Sequence, residues 1–485
     1  MGIPAEAFFL DPDYAGTKQQ QIQQLVTEGI LAGRYRAGER MPSSRALAAR
    51  LGVSRITVTL AYTDLVASDY LRSRGRSGYF VSDTAPQPSQ IPMPHGREAE
   101  TVDWSRAIGQ RFAGTATLQR PADWRTYRYP FIYGQADAEL FDHQNWRLCA
   151  LNALGARDFE ALTGDYYDRD DPQLIEVITR HILPRRGIAA KPSEVLLTQG
   201  AQNALWLAAQ VLLTQRRVAA VENPGYPGLR EILDQTRCSV RTVDVDADGL
   251  PPDALPPGVD VVFTTASHHC PTNATMPVPR RRELLRRASQ DGFIVVEDDY
   301  EFEMSFEHAP SPALKSLDRA GSVVYIGSFS KSVFPGLRLG YLVASETFLR
   351  EARALRALVL RHPPGHSQRT AAYFLSLGHY DGQVRRMAKA YAERRHVMAA
   401  AIEAHGLRCA PTGGFGGSSF WMRAPDGVDT TELSNRLRAD GVVIEPGAAF
   451  FARELDNRQF YRLGYSSIPV GRIEKGISLI ARALR

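Results

Sequence analysis

The chain has 485 residues, of which 44% are hydrophobic and 23% charged, and its formal net charge is +5. This length exceeds what one hydrophobic core supports, and it predicts roughly three domains. No apolar run approaches the ~20 residues of a membrane helix and no N-terminal signal pattern is present, so we expect a soluble protein. Four scattered cysteines without disulfide or metal-ligand spacing indicate a reducing cytoplasm: Cys149, Cys238, Cys270 and Cys409.

The positive charge is concentrated near the N-terminus. Residues 18–82 hold ten Lys and Arg side chains but only four Asp and Glu, a surplus that exceeds the net charge of the whole chain. Such an asymmetry indicates a nucleic-acid partner, although a solvated basic surface is the simpler alternative.

Three helices are predicted in this basic segment. Apolar residues at helical spacing predict the first over 17–32. Ser43 or Ser44 can cap a second helix over 45–51. After the turn at Gly52, Ser54 can cap a third helix over 55–68.

A β-hairpin follows the helices, with strands over 70–73 and 79–81 and an Arg- and Gly-rich turn over 74–78. Two short helices joined by a glycine turn and followed by a basic hairpin are typical of a winged helix-turn-helix. The third helix can enter a major groove, and the arginines can neutralise phosphate charge. A purely structural helical domain is the alternative. The expected DNA-contacting residues are Ser44, Arg45, Ser54, Arg55, Thr57, Arg72, Arg74 and Arg76.

The stretch 21–81 resembles the DNA-binding domain of the GntR family of bacterial regulators. Its sequence ILAGRYRAGERMPSSRALAARLGVSRITV is close to the family pattern throughout. The resemblance implies a DNA-binding domain over 1–82. A proline-containing linker over 83–126 is expected next, with a helix over 102–113 that could already belong to the following domain. The remainder, 127–485, is expected to form the second domain.

Five apolar runs in this second part predict strands over 195–197, 218–221, 261–263, 293–296 and 323–326. They alternate with helical patterns, which predicts an α/β fold with a mainly parallel sheet covered on both faces. From about 348 the pattern changes to long helices and then to a short α+β region. We expect a smaller second lobe there.

Lys331 follows the last of these strands, where α/β sheets place their chemistry. It stands between two serines in the sequence SFSKSVFPGLR, and Arg338 comes seven residues later. A lysine amine can form a Schiff base with a phosphorylated aldehyde cofactor, and hydroxyl and guanidinium groups can hold the phosphate. A solvated loop lysine is the alternative.

Other strands end in loops that could serve the same site. The turn at Gly200 opens a helix, so its free backbone amides can bind a phosphate. Tyr226 could stack on a flat cofactor or pack in the core. The acidic run at 297–299 could bind Mg²⁺, lie in solvent, or place a carboxylate at the site. His268, His269 and Cys270 are adjacent, so on an extended chain their side chains point alternately to opposite sides. No further ligand lies at a suitable spacing, and no metal site is expected.

From about Tyr127 onwards the chain resembles a fold-type I pyridoxal-phosphate (PLP) domain of the aminotransferase class. With its GntR-like head, the whole chain resembles the MocR-type, GabR-like regulators. The resemblance implies that Lys331 carries the internal aldimine, that Asp298 pairs with the pyridine nitrogen and that Tyr300 bonds the ring hydroxyl. Arg462 matches the arginine that binds an effector carboxylate. The implied phosphate ligands are Gly200, Ala201, Gln202, Ser328, Ser330 and Arg338.

Several positions depart from the family pattern. In SHHCPTN at 267–273, His269 replaces a glutamine and Asn273 a glycine, so the effector could differ from that of better-known members. The run 168–172 lacks a glycine, and 301–303 departs from the usual D-S-E. Tyr166 or Tyr167 could reach the phosphate of a dimer partner, and the sequence does not choose between them.

Two functions of different class remain. The first is a PLP-dependent transcriptional regulator that senses an amino compound through aldimine exchange, as a cytoplasmic homodimer on operator DNA. The second is a working aminotransferase with an accessory DNA-binding head. Both need Lys331, Asp298 and Arg462, but a basic winged helix has no role in transamination. The sequence therefore favours the regulator, which is not expected to act as an enzyme.

Overall fold

The structure is a computed structural model. It describes residues 2–86, 102–109, 112, 121–135, 137–166, 168–306, 311–411, 416–453 and 457–485, without the side chain of Arg76. The chain divides into two compact units, Met1–Arg111 and Phe112–Arg485. Across the part of the chain that is described, no helix has the length and apolar composition needed to cross a membrane.

The N-terminal unit contains the predicted helix-turn-helix and hairpin. Thr17 caps α1 (Lys18–Leu31) and shares a reciprocal capping box with Gln20, and Gly52 in the left-handed conformation ends α2 (Ser44–Leu51). Ile3 and Phe8, which no local pattern predicted to be structured, are buried in the core of this unit. Its elements are α1 (Lys18–Leu31), α2 (Ser44–Leu51), α3 (Arg55–Ala67), β1 (Leu71–Ser73) and β2 (Tyr79–Val81).

Within the predicted helix over 102–113, the described residues form a helix only at α4 (Trp104–Ala107). The first strand of the second unit is β3 (Tyr129–Pro130). The helices in the larger lobe of this unit are α5 (His143–Ala153), α6 (Phe159–Thr163), α7 (Pro172–Val177), α8 (Ala201–Leu212), α9 (Pro227–Thr236), α10 (Val278–Asp291), α11 (Leu314–Leu317), α12 (Glu346–Leu360) and α13 (Gly365–Ser376). The pattern change at about 348 predicted the start of the smaller lobe, but α12 packs in one core with α8 and α13 in one core with α5.

A seven-stranded sheet forms the centre of the larger lobe, in the order β4-β10-β9-β8-β7-β5-β6. Within it only β10 runs antiparallel to its neighbours, β4 and β9, so the expectation of a mainly parallel sheet is confirmed. Its strands are β4 (Val195–Thr198), β5 (Val218–Asn223), β6 (Ser239–Asp244), β7 (Val261–Thr264), β8 (Ile294–Asp299), β9 (Val323–Ser328) and β10 (Gly340–Val343).

Two of these strands, β6 and β10, were not predicted. The edge strand β6 has no apolar run because most of its residues are partly or fully exposed. The four-residue β10 is buried, but it is short and opens with a glycine that allows close approach to Gly327 of β9 and to Gly200.

Helices cover both faces of the sheet, as expected. On β5, Ala219 and Val221 pack in the core formed with α8, whereas Ala220 packs in the core formed with α10. On β8, Val296 faces the α8 side and Val295 the α10 side. This alternation decides which side chain at the end of each strand faces the site.

The smaller lobe contains a four-stranded antiparallel sheet in the order β11-β12-β15-β14. The strand β13 (Val442–Val443) does not join this sheet and pairs in parallel with β3 instead. The remaining elements are α14 (His379–Ala404), β11 (Arg408–Cys409), β12 (Ser419–Arg423), α15 (Thr430–Ala439), β13 (Val442–Val443), β14 (Glu445–Pro446), β15 (Phe460–Gly464) and α16 (Val470–Ala483).

Candidate cofactor and DNA-binding sites

The loops at the carboxyl ends of β5, β8 and β9, with the start of α8, surround one cavity of about 430 Å³. This is the position where open α/β sheets bind ligands. Residues from the smaller lobe and from the segment after β3 complete the lining. The sequence-predicted residues in the lining are Lys331, Asp298, Tyr300, Tyr226, Ala201, Gln202, Ser328, Ser330, Arg338 and Arg462.

Lys331 follows β9 by three residues and extends toward the segment after β3. Its Nζ lies 3.4 Å from the backbone oxygen of Gly134 and 4.4 Å from the centroid of the Tyr133 ring. Gly134 has a φ of +67°, and a Cβ built on it would lie 1.9 Å from Nζ. A glycine is therefore required there, both for the backbone conformation and for the lysine amine.

Asp298 is on the α8 side of β8 and lines the cavity. Its Oδ1 is buried and has no hydrogen-bond partner among the described residues. Burial, together with the charges of Asp299 and Glu222, raises the pKa of Asp298 to about 7. A protonated pyridine nitrogen would supply both the missing donor and a positive charge that favours the carboxylate, so the residue fits the ring of PLP.

The start of α8 fits a phosphate. Gly200 has a φ of +80°, and the first-turn amides after it have no acceptor within the helix. A Cβ on Gly200 would lie 3.3 Å from Cζ of Arg338, whose Nη2 donates to the backbone oxygen of Gln199 at 3.1 Å. Ser330 Oγ is buried without a hydrogen-bond partner among the described residues, and Ser328 Oγ accepts from the Ser330 amide at 3.2 Å.

Two tyrosines border the space for a ring. Tyr226 donates from its hydroxyl to Gln202 Oε1 at 2.5 Å, and burial raises its pKa to about 12. The hydroxyl of Tyr300 donates to the backbone oxygen of His268 at 2.9 Å. Tyr300 thus already uses its proton within the protein, and toward a ring hydroxyl it would act as an acceptor.

Arg462 of β15 is almost fully buried at the cavity wall. Its Nε donates to Glu445 Oε2 at 2.7 Å, and its Nη1 lies 3.9 Å from the sulfur of Cys270. Its Cζ lies 3.9 Å from the centroid of Tyr133 and 4.7 Å from that of Phe450. The Glu445 carboxylate keeps the guanidinium charged despite its burial, so the pKa of Arg462 is raised further above its ordinary value.

The loop 267–273 explains one departure from the family pattern. Asn273 stands where the pattern has glycine, and its φ of +61° is a conformation that asparagine tolerates better than most residues. Its side-chain amide donates to the backbone oxygen of Ser419 at 2.6 Å. His269 bonds Thr272 at 2.7 Å. Among the described residues, no group of three or more His, Cys, Asp or Glu side chains is arranged to hold a metal ion.

The pair of tyrosines before the 168–172 run is only partly described. Tyr166 donates to Glu160 Oε1 at 2.9 Å, and Cζ of Arg169 lies 4.0 Å from its ring centroid. Tyr167 lies outside the described residues, so the choice between the two remains open.

In the N-terminal unit, α2 and α3 begin side by side. Arg55 Nε donates to Ser44 Oγ at 3.3 Å. Ser54 caps α3 by accepting from the Thr57 amide at 3.1 Å, and the two hydroxyls lie 2.8 Å apart. Ser54 therefore serves the helix start, whereas Arg55 and Arg45 are exposed. Next to them Ile56, which the sequence did not single out, is 70% exposed and can contact a thymine methyl group.

The hairpin arginines differ in their surroundings. Arg72 forms an ion pair with Asp83, so part of its charge is already neutralised. Arg74 lies over the ring of Phe80, with Cζ 4.9 Å from its centroid. Arg76 lies in the turn Gly75–Ser77, and its side chain is not described.

The sequence missed several residues of the cavity. Tyr133 and Gly134 follow a two-residue strand without periodicity, and the only local signal was an aromatic residue before a glycine. Glu445 was not recognised because no motif connects it with Arg462. Arg186 lies beneath the site, paired with Asp299 at 2.7 Å, and nothing in its local sequence indicated a buried ion pair.

A winged helix-turn-helix ahead of an aminotransferase-like fold, with a lysine and an arginine in one cavity, defines a DNA-binding regulator built on an aminotransferase domain. The chain belongs to the MocR-type regulators of the GntR family. The profile "Bacterial regulatory proteins, gntR family" matches residues 18–81, and "Aminotransferase class I and II" matches 149–480.

Individual proteins support this assignment. The HTH-type transcriptional regulator TauR of Rhodobacter capsulatus is 63% identical, over 100% of both chains. The probable rhizopine catabolism regulatory protein MocR of Rhizobium meliloti is 31% identical, over 82% of this chain and 79% of its own. Among solved structures, the α-aminoadipate aminotransferase LysN of Thermus thermophilus is similar with a TM-score of 0.70 at 27% identity, over 79% of this chain and 98% of its own.

Proposed function

We propose that the second unit binds PLP and senses a small amino compound with an acidic group, and that this changes the binding of the N-terminal unit to DNA. The observation that carries the proposal is one cavity lined by Lys331, by Asp298 with its unpartnered Oδ1, and by Arg462. These are an amine, a carboxylate and an anion-binding fork. PLP and an amino acid require the same three groups.

The cofactor would supply an aldehyde carbon to which a primary amine can bond. Lys331 is the lysine in the cavity lining, and Asp298 would stabilise a positive charge on the ring nitrogen. The first-turn amides of α8, with Ser330 and Arg338, would hold the phosphate. Tyr226 has the position and the aromatic face to pack on the ring. PLP-type ligands are known in this fold, since the LysN structure is a complex with N-(5'-phosphopyridoxyl)-L-leucine.

The acidic group of the effector would bind Arg462. Its Nε is already bonded to Glu445, so an effector carboxylate or equivalent anion would be held by the two terminal nitrogens. An amine that replaces Lys331 at the cofactor is then fixed at both ends. Such a ligand can bias the conformation of the protein by as much as its affinity differs between the two states.

We further propose that the protein acts as a cytoplasmic homodimer that binds operator DNA. The relatives TauR and MocR are named as regulators, which supports a DNA-binding role in this chain. An exposed apolar strip on and after α5 provides a surface for a second copy. Its side chains are each at least half exposed, and they are Leu148, Leu151, Leu154 and Phe159.

A second candidate is a working aminotransferase. The presence of lysine, aspartate and arginine in one cavity favours it, since the same residues serve catalysis. We place it second because turnover would consume the signal that a regulator must keep.

The test uses full-length PLP-loaded protein and a DNA sequence selected by the protein from a random pool. Candidate amino acids are added, and the cofactor absorbance, DNA affinity and keto-acid release are followed together. We expect a spectral shift coupled to a change in DNA affinity, with slow or no keto-acid release. Arg462→Ala should lose this response, and Arg216→Ala, which removes a surface charge, should keep it. Sustained turnover without any change in DNA affinity would instead establish the aminotransferase.

A further inference from the structure

The ring of Tyr133 contacts both functional cations of the cavity. Lys331 Nζ lies 4.4 Å from the ring centroid, and Arg462 Cζ lies 3.9 Å from it. Nζ and Cζ therefore lie no farther apart than the sum of these two distances. A ligand that reaches from the position of the lysine amine to the guanidinium must pass along this ring.

Tyr133 cannot easily turn away, because residues of both lobes fix it. Its hydroxyl donates to Glu301 Oε2 at 2.8 Å, and Ser418 Oγ in the smaller lobe donates to the other oxygen of the same carboxylate at 2.5 Å. Glu301 is buried, so the bond is shielded from water. Burial and the nearby Glu301 charge hold the pKa of Tyr133 well above its ordinary value, and the phenol remains a donor.

The guanidinium of Arg462 is also fixed. Glu445 accepts a hydrogen bond from its Nε at 2.7 Å, and its Cζ lies 4.7 Å from the centroid of the Phe450 ring. Both Arg462 and Glu445 are at most 5% exposed, so neither can move outward without uncovering a buried ion pair. The anion-binding end of the cavity therefore keeps its distance from the amine end.

We propose that Tyr133 is the residue that sets the length of the effector. This inference rests on the proposed function. The tyrosine ring fills the space beside Lys331 and Arg462, so it admits an unbranched amino acid whose acidic group is only a few bonds from its amine. A longer chain would need the volume that the ring occupies.

The experiment measures affinity for a homologous series: glycine, 3-aminopropanoate, 4-aminobutanoate and 5-aminopentanoate. PLP-loaded wild-type protein, Tyr133→Ala, Tyr133→Phe and Glu301→Gln are titrated by calorimetry and by cofactor absorbance. Tyr127→Ala is the control, because Tyr127 is a tyrosine outside the cavity lining. One methylene in a fitted pocket is worth roughly 10–200-fold in discrimination, so wild-type protein should prefer one length by about tenfold or more.

In Tyr133→Ala we expect the preference to move toward longer chains or to fall below about threefold, as a filled pocket becomes an open one. Tyr133→Phe keeps the ring, so it should keep the preferred length and lose only part of the discrimination. Glu301→Gln, which changes the acceptor of the Tyr133 hydroxyl, should likewise keep the preferred length and lose only part of the discrimination. If Tyr133→Ala does not fold, Tyr133→Leu, with its smaller apolar side chain, takes its place and should show the same change.

An unchanged ranking of the four amino acids in a folded Tyr133→Ala or Tyr133→Leu would overturn this inference and leave the proposed function intact. If no member of the series binds wild-type protein, this inference fails, whereas the proposed function still holds if another amino compound with an acidic group changes the cofactor absorbance and the DNA affinity. A change of equal size in Tyr127→Ala would also overturn the inference, because the effect would then not belong to the cavity.

Discussion

Asp298 and Asp299 are consecutive residues of β8 with opposite surroundings. Asp299 Oδ2 accepts from Arg186 Nε at 2.7 Å and from the Tyr325 hydroxyl at 2.9 Å. Asp298, on the other face of the strand, lines the cavity, and its Oδ1 has no partner among the described residues. Burial by itself would raise the pKa of Asp299, but the charge of Arg186 outweighs it and the pKa of Asp299 is lowered. The pKa of Asp298 is instead raised to about 7.

The first prediction concerns the stability of the cofactor-free protein. The pKa of Asp298 rises from 3.8 to about 7 on folding, so the native state binds more protons between these values. Stability contributed by this group is therefore present below about pH 4 and is lost as pH rises to about 7, with a slope of at most ~1.4 kcal/mol per pH unit. Asp298→Asn should remove this loss, so its stability relative to wild type should be greater at pH 8 than at pH 4.

Urea unfolding of the apoprotein at several pH values measures this effect. Burial also raises the pKa of Glu303 to about 7, so the curve of interest is the difference between wild type and Asp298→Asn. The exposed Asp13→Asn is the control and should give a flat difference. A flat difference for Asp298→Asn as well would contradict the assigned environment.

The second prediction concerns the buried pair beneath the site. Arg186→Met should lower the free energy of unfolding by about 3–5 kcal/mol, because it leaves the Asp299 carboxylate buried without its cation. The double variant with Asp299→Asn should recover part of this loss. Arg180→Met breaks the exposed Arg180–Glu176 pair at 2.8 Å and should cost no more than ~0.5 kcal/mol. Equal effects of Arg186→Met and Arg180→Met in urea unfolding would refute this account.

The third prediction is that Lys331→Ala loses the visible absorbance of lysine-bound cofactor while its circular dichroism remains that of wild type. Lys331 is the lysine in the cavity lining. Lys475→Ala, which removes an exposed lysine, should keep the absorbance. Borohydride reduction followed by peptide mapping should label residue 331 in wild-type protein. Labelling of another lysine would show that the assignment is wrong.

The fourth prediction concerns the exposed arginines at the starts of α2 and α3. Arg45→Ala or Arg55→Ala should weaken DNA binding, and each lost phosphate contact should reduce the salt slope of log K by about one unit. The cofactor spectrum should not change. Arg216→Ala removes an equal charge outside the N-terminal unit and serves as the matched control. Titrations identical to wild type at every salt concentration would mean that these residues do not contact DNA.

The fifth prediction separates apolar from ionic contacts on α3. Ile56→Ala should weaken binding to selected DNA by up to ~1–3 kcal/mol and relax the preference at one thymine, while the salt slope stays unchanged. Because Ile56 is 70% exposed, folding stability should change little. A changed salt slope in anisotropy titrations would indicate that the side chain acts by displacing α3 instead.

Much of the fold follows from local sequence. The helices of the N-terminal unit were predicted to within a few residues, because their caps at Thr17, Ser43 and Ser54 are local hydrogen bonds between residues three apart. Apolar runs also predicted β4, β5, β7, β8 and β9, since strands buried on both faces leave a continuous signal. The family resemblance supplied the two domain types, a GntR-type winged helix and an aminotransferase-like domain, and the family profiles confirm both types.

The sequence by itself determined which residue types end each strand, and hence that a lysine, a carboxylate and phosphate-binding amides meet at one edge of the sheet. Only the tertiary structure decided that Asp298, and not Asp299, faces the cavity, and that Tyr133 lies against both Lys331 and Arg462. The bond from Tyr133 to Glu301 joins residues 168 positions apart, and that from Lys331 to Gly134 spans 197. Local periodicity carries no information about such contacts, because they arise from packing distant segments into one core.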